Sequence, residues 1–198
     1  MKNSFWFLVI VLLLSACRHK EECHCNVRPE VEKYNDSLLS SDREEERQHF
    51  LRLMDEMPLQ QNEGLSIRFT KSNPFTNYII VYKIQADGPE YRMETKVCRP
   101  SPDYRHFETH WKRTKKLPEN TVKSIVKLIN DSCFWTMVSQ REFAAIDGYG
   151  HVLEVYNPEG NPCTDKTYRM VASFSPSPGF YAMCKKIMAL ETDCDQYK

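Results

Sequence analysis

One glutamate sits in a stretch that otherwise reads as core, His151-Val152-Leu153-Glu154-Val155-Tyr156. Strand alternation puts Val152, Glu154 and Tyr156 on one face and His151, Leu153 and Val155 on the other. A carboxylate there has two uses. It can bind a ligand or exchange protons, or it can close a cross-strand ion pair that satisfies its charge. Arg169 lies in the next expected strand and is the predicted partner. The pair Glu154–Arg169 is therefore read first as structural. His151 and Asp147, the latter in an Asp147-Gly148 turn, are the neighbouring side chains suited to acid–base work.

Other candidates for chemistry are thinner. Cys23-His24-Cys25, with His19 nearby, offers thiolates and imidazole, which suit zinc or copper. A structural zinc site wants four ligands, usually from two separated pairs, so these cysteines read as disulfide partners. His106-x-x-x-His110 has helical i, i+4 spacing but lies in a Pro-rich basic stretch and lacks the H-E-x-x-H order. Cys133 and His151 could approach as nucleophile and base, although disulfide formation or core packing is the expected use of Cys133. No G-x-S-x-G, G-x-x-x-x-G-K-[ST] or G-x-G-x-x-G occurs. No catalytic, cofactor or metal set is assigned.

These residues need elements to position them. Residues 30–56 read as an interrupted helix. Its second part is capped by Ser40-Ser41-Asp42, carries Glu44, Glu45 and Glu46 in its first turn, and ends at Pro58. Phe50, Leu53, Met54 and Met57 form an apolar stripe. Leu65, Ile67 and Phe69 alternate as a short strand. Residues 77–86 and 91–97 flank Asp87-Gly88 as a hairpin. Residues 99–117, with Pro100 and Pro102, read as loop. Pro118 opens a helix with Val122, Ile125, Val126 and Ile129 on one face, followed by Phe134 and Trp135 as core anchors. Residues 151–156 and 168–174 make a second hairpin around turn-forming Asn157-Pro158-Glu159-Gly160-Asn161-Pro162. Phe180 to Leu190 is the last helix. The expected class is α+β: an antiparallel sheet of two hairpins with helices on one face, preceded by a helical N-terminal segment.

Bulk properties set limits. The 198 residues hold 27 Lys plus Arg and 27 Asp plus Glu, so no global charge draws the chain to nucleic acid. Residues 30–63 are acidic, ten against four. Residues 92–116 are basic, eight against three, which reads as solvated surface or, more weakly, as a patch for an anionic envelope polymer. Eight cysteines is a high count for a reducing compartment. Cys184 and Cys194 are placed to close a short local loop. Cys23 and Cys25 are too close to bridge each other and reach more plausibly to Cys98, Cys133 or Cys163.

The N-terminus explains that count. Lys2 precedes an apolar run from Phe5 to Leu14, then Leu14-Ser15-Ala16-Cys17 and a polar stretch. The layout is that of a signal peptide, and the run is too short for the ~20 residues that span a bilayer. Leu14-Ser15-Ala16-Cys17 resembles the lipobox of bacterial lipoproteins. The resemblance implies cleavage before Cys17, a thioether lipid on it, and fatty acylation (palmitate or similar) of the new amino terminus. The expected organisation is signal peptide 1–16, tether and acidic helical segment 17–60, and a single α+β domain 61–198.

Residues 134–190 resemble a group of small bacterial proteins of unassigned function. The shared features are Phe134-Trp135, Asp147-Gly148, Leu153-Glu154, Tyr168 and Ser175-Pro176. Two positions depart from that pattern: His151 stands where an aromatic strand residue is expected, and Ser173-Phe174 where a basic residue is. The resemblance implies the fold and no activity. The functional expectation is a membrane-anchored protein of the bacterial cell envelope, periplasmic or surface-facing, that binds another envelope protein or an envelope polymer. The alternative is an envelope hydrolase using Asp147, Glu154 or His151.

Overall fold

The computed structural model describes residues 25, 28–38, 41–73, 76–103, 105–139 and 150–197. The expected signal peptide, Cys17, Cys23-His24 and the Asp147-Gly148 turn lie outside the described residues.

The described elements run α1 (Pro29–Leu38), α2 (Ser41–Leu53), β1 (Ser66–Asn73), β2 (Tyr78–Asp87), β3 (Glu90–Pro100), β4 (Phe107–Leu117), α3 (Glu119–Asp131), β5 (Gly150–Tyr156), β6 (Tyr168–Ser173) and α4 (Pro178–Met188). The strands form one antiparallel sheet in the order β4-β3-β2-β1-β5-β6. The class is α+β.

Two faces follow from the period-two pattern. Ile67, Phe69, Tyr82, Ile84, Met93, Val97, Leu153, Val155 and Val171 point to one side, where Val122, Ile125 and Ile129 of α3 and Phe180, Met183 and Ile187 of α4 meet them. This is the helix face. Burying each of these side chains contributes roughly 1.5–3 kcal/mol. Helix α4 starts on its own signal: Pro178 occupies the first turn and the Ser177 hydroxyl accepts from the Phe180 N–H.

The other face is covered in part by the N-terminal segment. Leu51 and Met54 pack against Ile79, Val81 and Cys98, with Phe50 and Phe107 at the margin. The acidic segment expected to stand off the domain as part of a tether thus lies against the sheet. Its end is shaped by a Schellman turn. Asp55 takes a left-handed φ of 55°, the Glu56 N–H reaches the Leu51 carbonyl at 2.8 Å, and the Asp55 N–H reaches Arg52 at 3.1 Å. That turn directs Glu56 at the sheet.

Residues 99–117 are a correction. Most of this stretch is β4, an eleven-residue edge strand paired with β3 from Tyr91–Leu117 to Pro100–Phe107, with a register shift at Val97/Cys98. Its cations fall in adjacent pairs, Lys112-Arg113 and Lys115-Lys116, so it carries no clear apolar–polar alternation. Lysine-rich edges of this kind also resist pairing with other chains. His110 therefore has no helical partner in His106. It packs between Tyr78 and Tyr197 at centroid distances of 5.5 and 5.4 Å.

The cysteines are corrected in part. Cys25 and Cys163 form a disulfide, with Cα atoms 4.7 Å apart, and Cys133 is disulfide-bonded as well. Cys184 and Cys194, expected to pair, are both buried free thiols, as is Cys98. Cys184 is committed to the inward face of α4, while the Cys194 thiol lies 3.3 Å from the Tyr82 hydroxyl.

Candidate functional site

Glu154 is the centre of the most concentrated charge in the described structure. It is 2% exposed, and its partners are not the one alternation predicts. The hairpin register places Glu154 opposite Met170 and Arg169 opposite Val155. Arg169 consequently lies on the helix face. Its guanidinium donates to the Met137 carbonyl, and its buried Nε has no partner among the described residues. The Glu154–Arg169 pair is not formed, because a one-residue difference in register moves a side chain to the opposite face.

Two other arginines take its place. Arg68 of β1 stands directly opposite Glu154 and grips it bidentately, Nε to Oε2 at 2.6 Å and Nη2 to Oε1 at 2.8 Å. Arg47 of α2 donates from Nη1 to Oε1 at 2.9 Å. The Tyr168 hydroxyl donates to the same oxygen at 2.9 Å and accepts from Arg47 at 2.9 Å. Arg47 and Arg68 are 1% and 0% exposed. The paired carboxylate–guanidinium geometry is the strong form of such contacts.

The charges continue across the sheet. Glu154, Arg68, Lys83 and Glu94 occupy one row of directly opposed residues on β5, β1, β2 and β3. Glu56 enters this row from the turn after α2, 3.7 Å from Arg68, 3.1 Å from Lys83 and 2.7 Å from Lys96. Lys96 also donates to the Met54 carbonyl at 2.7 Å, and Arg68 to the Met57 carbonyl at 2.8 Å. Glu94 closes the row on Lys112 of β4 at 2.8 Å. Helix α2 is thus fastened at two places: at its middle by Arg47 to Glu154, and just past its C-terminal end by Glu56 with two backbone carbonyls to Arg68 and Lys96.

Electrostatics follow from burial and pairing. Burial alone raises the Glu154 pKa, but the charges and hydrogen bonds of Arg68 and Arg47, with the Tyr168 hydroxyl, outweigh it and hold the carboxyl below its usual range. Tyr168 is driven far up, first by burial and then by the Glu154 charge beside it. Glu154 is a permanent anion and Tyr168 a permanent phenol across the ordinary pH range. Neither is poised to trade a proton near neutrality.

His151 lies on the other side of β5. Its ring stacks on Phe69 at 5.8 Å, it is buried, and its Nδ1 has no partner among the described residues. Burial, then the Lys71 charge, lowers its pKa. A cleft between α2 and the sheet touches both residues and is lined mainly by Phe50, Leu51, Met54, Val152, Ala172 and Phe174. The Glu154 carboxylate and the His151 imidazole nevertheless point to opposite faces. The enclosed volume is about 20 Å³, room for about one water. Asp147 lies outside the described residues.

The basic run is neutralised in place. Each of its eight cations has a carboxylate within ion-pair distance: Arg92 with Asp87, Lys96 with Glu56, Arg99 with Glu108, Arg105 with Asp103, Lys112 with Glu94, Lys116 with Glu90, and Arg113 and Lys115 with Glu191. Among the described residues no group of three or more His, Cys, Asp and Glu is arranged to hold a metal ion, and no helix is long and apolar enough to cross a membrane.

The sequence reading singled out Glu154 and missed Arg47, Arg68, Glu56 and Lys96. Arg68 had a usable signal, being the charged residue between Ile67 and Phe69 in an alternating strand. Arg47 had none, since it lies in a charged stretch whose apolar stripe starts only at Phe50. No protein-family model, no curated protein and no solved structure matches the chain.

Proposed function

We propose that this chain is a lipid-anchored protein of the bacterial cell envelope that acts by binding another envelope protein. The anchoring half rests on the order of a positive start, a short apolar run and Leu14-Ser15-Ala16-Cys17. The binding half rests on one observation above others. Glu154 is spent on holding α2 against the sheet, with both oxygens taken by Arg68, Arg47 and Tyr168. The hydrolase alternative needs two of Asp147, Glu154 and His151 in one pocket. Glu154 and His151 point to opposite faces of β5, which weakens it. An anionic envelope polymer is the less favoured partner, because the basic run meets its own carboxylates.

Photocrosslinking in cells tests both halves. A benzophenone amino acid would replace Met57, Val138 or Tyr181, which are exposed large apolar residues at 67%, 55% and 46%. The expected outcome is a discrete protein adduct in the membrane fraction from at least one position. Cys17→Ser should move the chain out of that fraction and abolish the adduct. Wild-type fractionation of Cys17→Ser overturns the anchor, and absence of an adduct from all three positions overturns the protein partner.

A further inference from the structure

The Cys25–Cys163 disulfide fastens the start of the N-terminal segment to the β5–β6 connection. The chain then returns along the domain. Asn35 of α1 donates to the Met137 carbonyl at 3.2 Å and accepts from the Ser139 N–H at 3.1 Å, and Lys166 pairs with Glu32 and Asp36. Whatever stalk residues 17–60 were expected to supply is therefore cut to the part before Cys25. We propose that the β5–β6 connection, residues 157–167, is the membrane-proximal pole of the domain, and that the lipid headgroup surface is what it faces. The proposal rests on the lipid anchor at Cys17.

The magnitudes decide the orientation. Eight residue-to-residue steps lead from Cys17 to Cys25, and fully extended they reach at most about 29 Å. A relaxed flexible chain of that length spans about 16 Å. The sheet is longer than either figure, since the eleven residues of β3 extend about 37 Å. The β5–β6 connection shares one end of the sheet with the Asp87-Gly88 turn, because Tyr156 opposes Ser66, Ser66 opposes Gln85, and Gln85 opposes Arg92. The connection from Pro100 to Phe107 lies at the other end, beside Asn73 and Tyr78. Standing the domain with that far end on the bilayer would lift Cys163 by about the length of the sheet, which the tether cannot span.

The chemistry of the near pole fits a surface that rests beside headgroups without inserting. Asn157-Pro158-Glu159-Gly160-Asn161-Pro162 holds no large apolar side chain, and Glu159 is exposed. The loop is stiffened by its own bonds: Asn161 Oδ1 accepts from the Cys163 and Thr164 N–H groups at 2.8 and 2.9 Å, and Asn161 Nδ2 donates to the Lys166 carbonyl at 2.7 Å. Without the disulfide, the next fastening beyond residue 25 among the described residues is Glu32 to Lys166, fifteen residues from Cys17. That length extends to about 54 Å and would release the constraint.

The test uses the lipidated protein purified from membranes and reconstituted in phosphatidylcholine vesicles that carry a headgroup-linked energy-transfer acceptor. A fluorescent amino acid is encoded at Glu159 in one sample and at Arg105 in another. Transfer from position 159 is expected to be severalfold more efficient than from position 105, and to fall in Cys25→Ser and in Cys163→Ser. Equal or reversed efficiencies, or an unchanged signal in both cysteine variants, overturn the proposed pole while leaving the anchor standing. Failure of the protein to float with the vesicles at all overturns the anchor itself.

Discussion

The two faces of the sheet are closed by different physics. On the helix face, Ile125, Ile129, Phe180 and Ile187 meet Phe69, Tyr82 and Leu153, and cohesion comes from removing apolar area from water. On the opposite face, α2 contributes Leu51 and Met54 and then relies on Glu154, Arg68, Arg47, Glu56 and Lys96, all nearly excluded from solvent. The first kind of closure is non-directional and tolerates repacking at conserved volume. The second tolerates little. Each ion there was desolvated to form the network, so removing one partner strands the others. The ionic face gains definition from this. Arg47 meets the Glu154 carboxylate in one directed geometry, whereas an apolar stripe alone would let a short helix slide.

Removing one charge from the ionic face should have the largest effect. Glu154→Gln keeps the shape and leaves Arg68 and Arg47 facing a neutral amide, at an expected cost of about 3–5 kcal/mol in denaturant unfolding at pH 7. Combining it with Arg68→Met should recover part of that loss, and the four proteins give the coupling by a double-mutant cycle. The pH dependence carries the same signature. The folded pKa of Glu154 is depressed, so its stabilisation is complete above the unfolded value of about 4.3 and is lost as pH falls through the folded value. Glu154→Gln should lack that part of the acid transition. A neutral or stabilising Glu154→Gln with near-zero coupling would reject the structural role and return weight to a functional carboxylate.

The matched deletion on the other face should be somewhat smaller and indifferent to acid. Ile125→Ala is expected to cost about 2–4 kcal/mol, the range for emptying a buried aliphatic site. Its difference from wild type should hold from pH 7 to pH 4, because no titrating group is removed. If that difference shrinks in acid as the Glu154 contribution does, the two faces are not energetically separate.

The smallest effect concerns His151, an unsatisfied ionisable group on the helix face. His151→Phe keeps the stack on Phe69 and removes the buried Nδ1 that lacks a partner among the described residues. A gain of about 1 kcal/mol is expected, the desolvation cost of one such group. Because the folded pKa of His151 is lowered, protonation favours the unfolded chain. Wild-type stability from this group is full above about pH 6.5 and declines as pH falls towards the folded value. The variant should lose that decline in thermal melts between pH 7 and 5. A destabilised variant at pH 7 would show that the imidazole makes a contact the apolar ring cannot replace.

Legibility in the sequence differed between the two faces for the same reason. Val122, Ile125 and Ile129 repeat with helical period, and Ile67, Phe69, Leu153 and Val155 alternate, so the helix face could be assembled from local patterns. The Asp87-Gly88 hairpin and the helix opened by Pro118 were likewise local signals, and both are present. Strand β4 was misread because its cations fall in adjacent pairs, Lys112-Arg113 and Lys115-Lys116, on both faces and without apolar contrast. Its pairing with β3 is what defines it. Glu154 stood out as a carboxylate in a core-like strand, and Tyr168 was noted only for a resemblance. Both lie at the centre of the network.

By itself the sequence determined the class of fold, the inward residues of α3, the place of α4, the alternation of β5 and the presence of a buried acid that needed a cation. The tertiary structure decided which cation. Arg169, fifteen residues along, is turned away by register, whereas Arg68 and Arg47 come from 86 and 107 residues away. No local period encodes such a choice. It depends on which strand docks beside β5, on the parity of the β5–β6 pairing, and on the Schellman turn and disulfide that return the N-terminal segment to the sheet. Apolar burial is satisfied by many neighbours and can be read one element at a time. A buried charge is satisfied only by a particular opposite charge in a particular geometry, and that geometry exists only after the chain has folded.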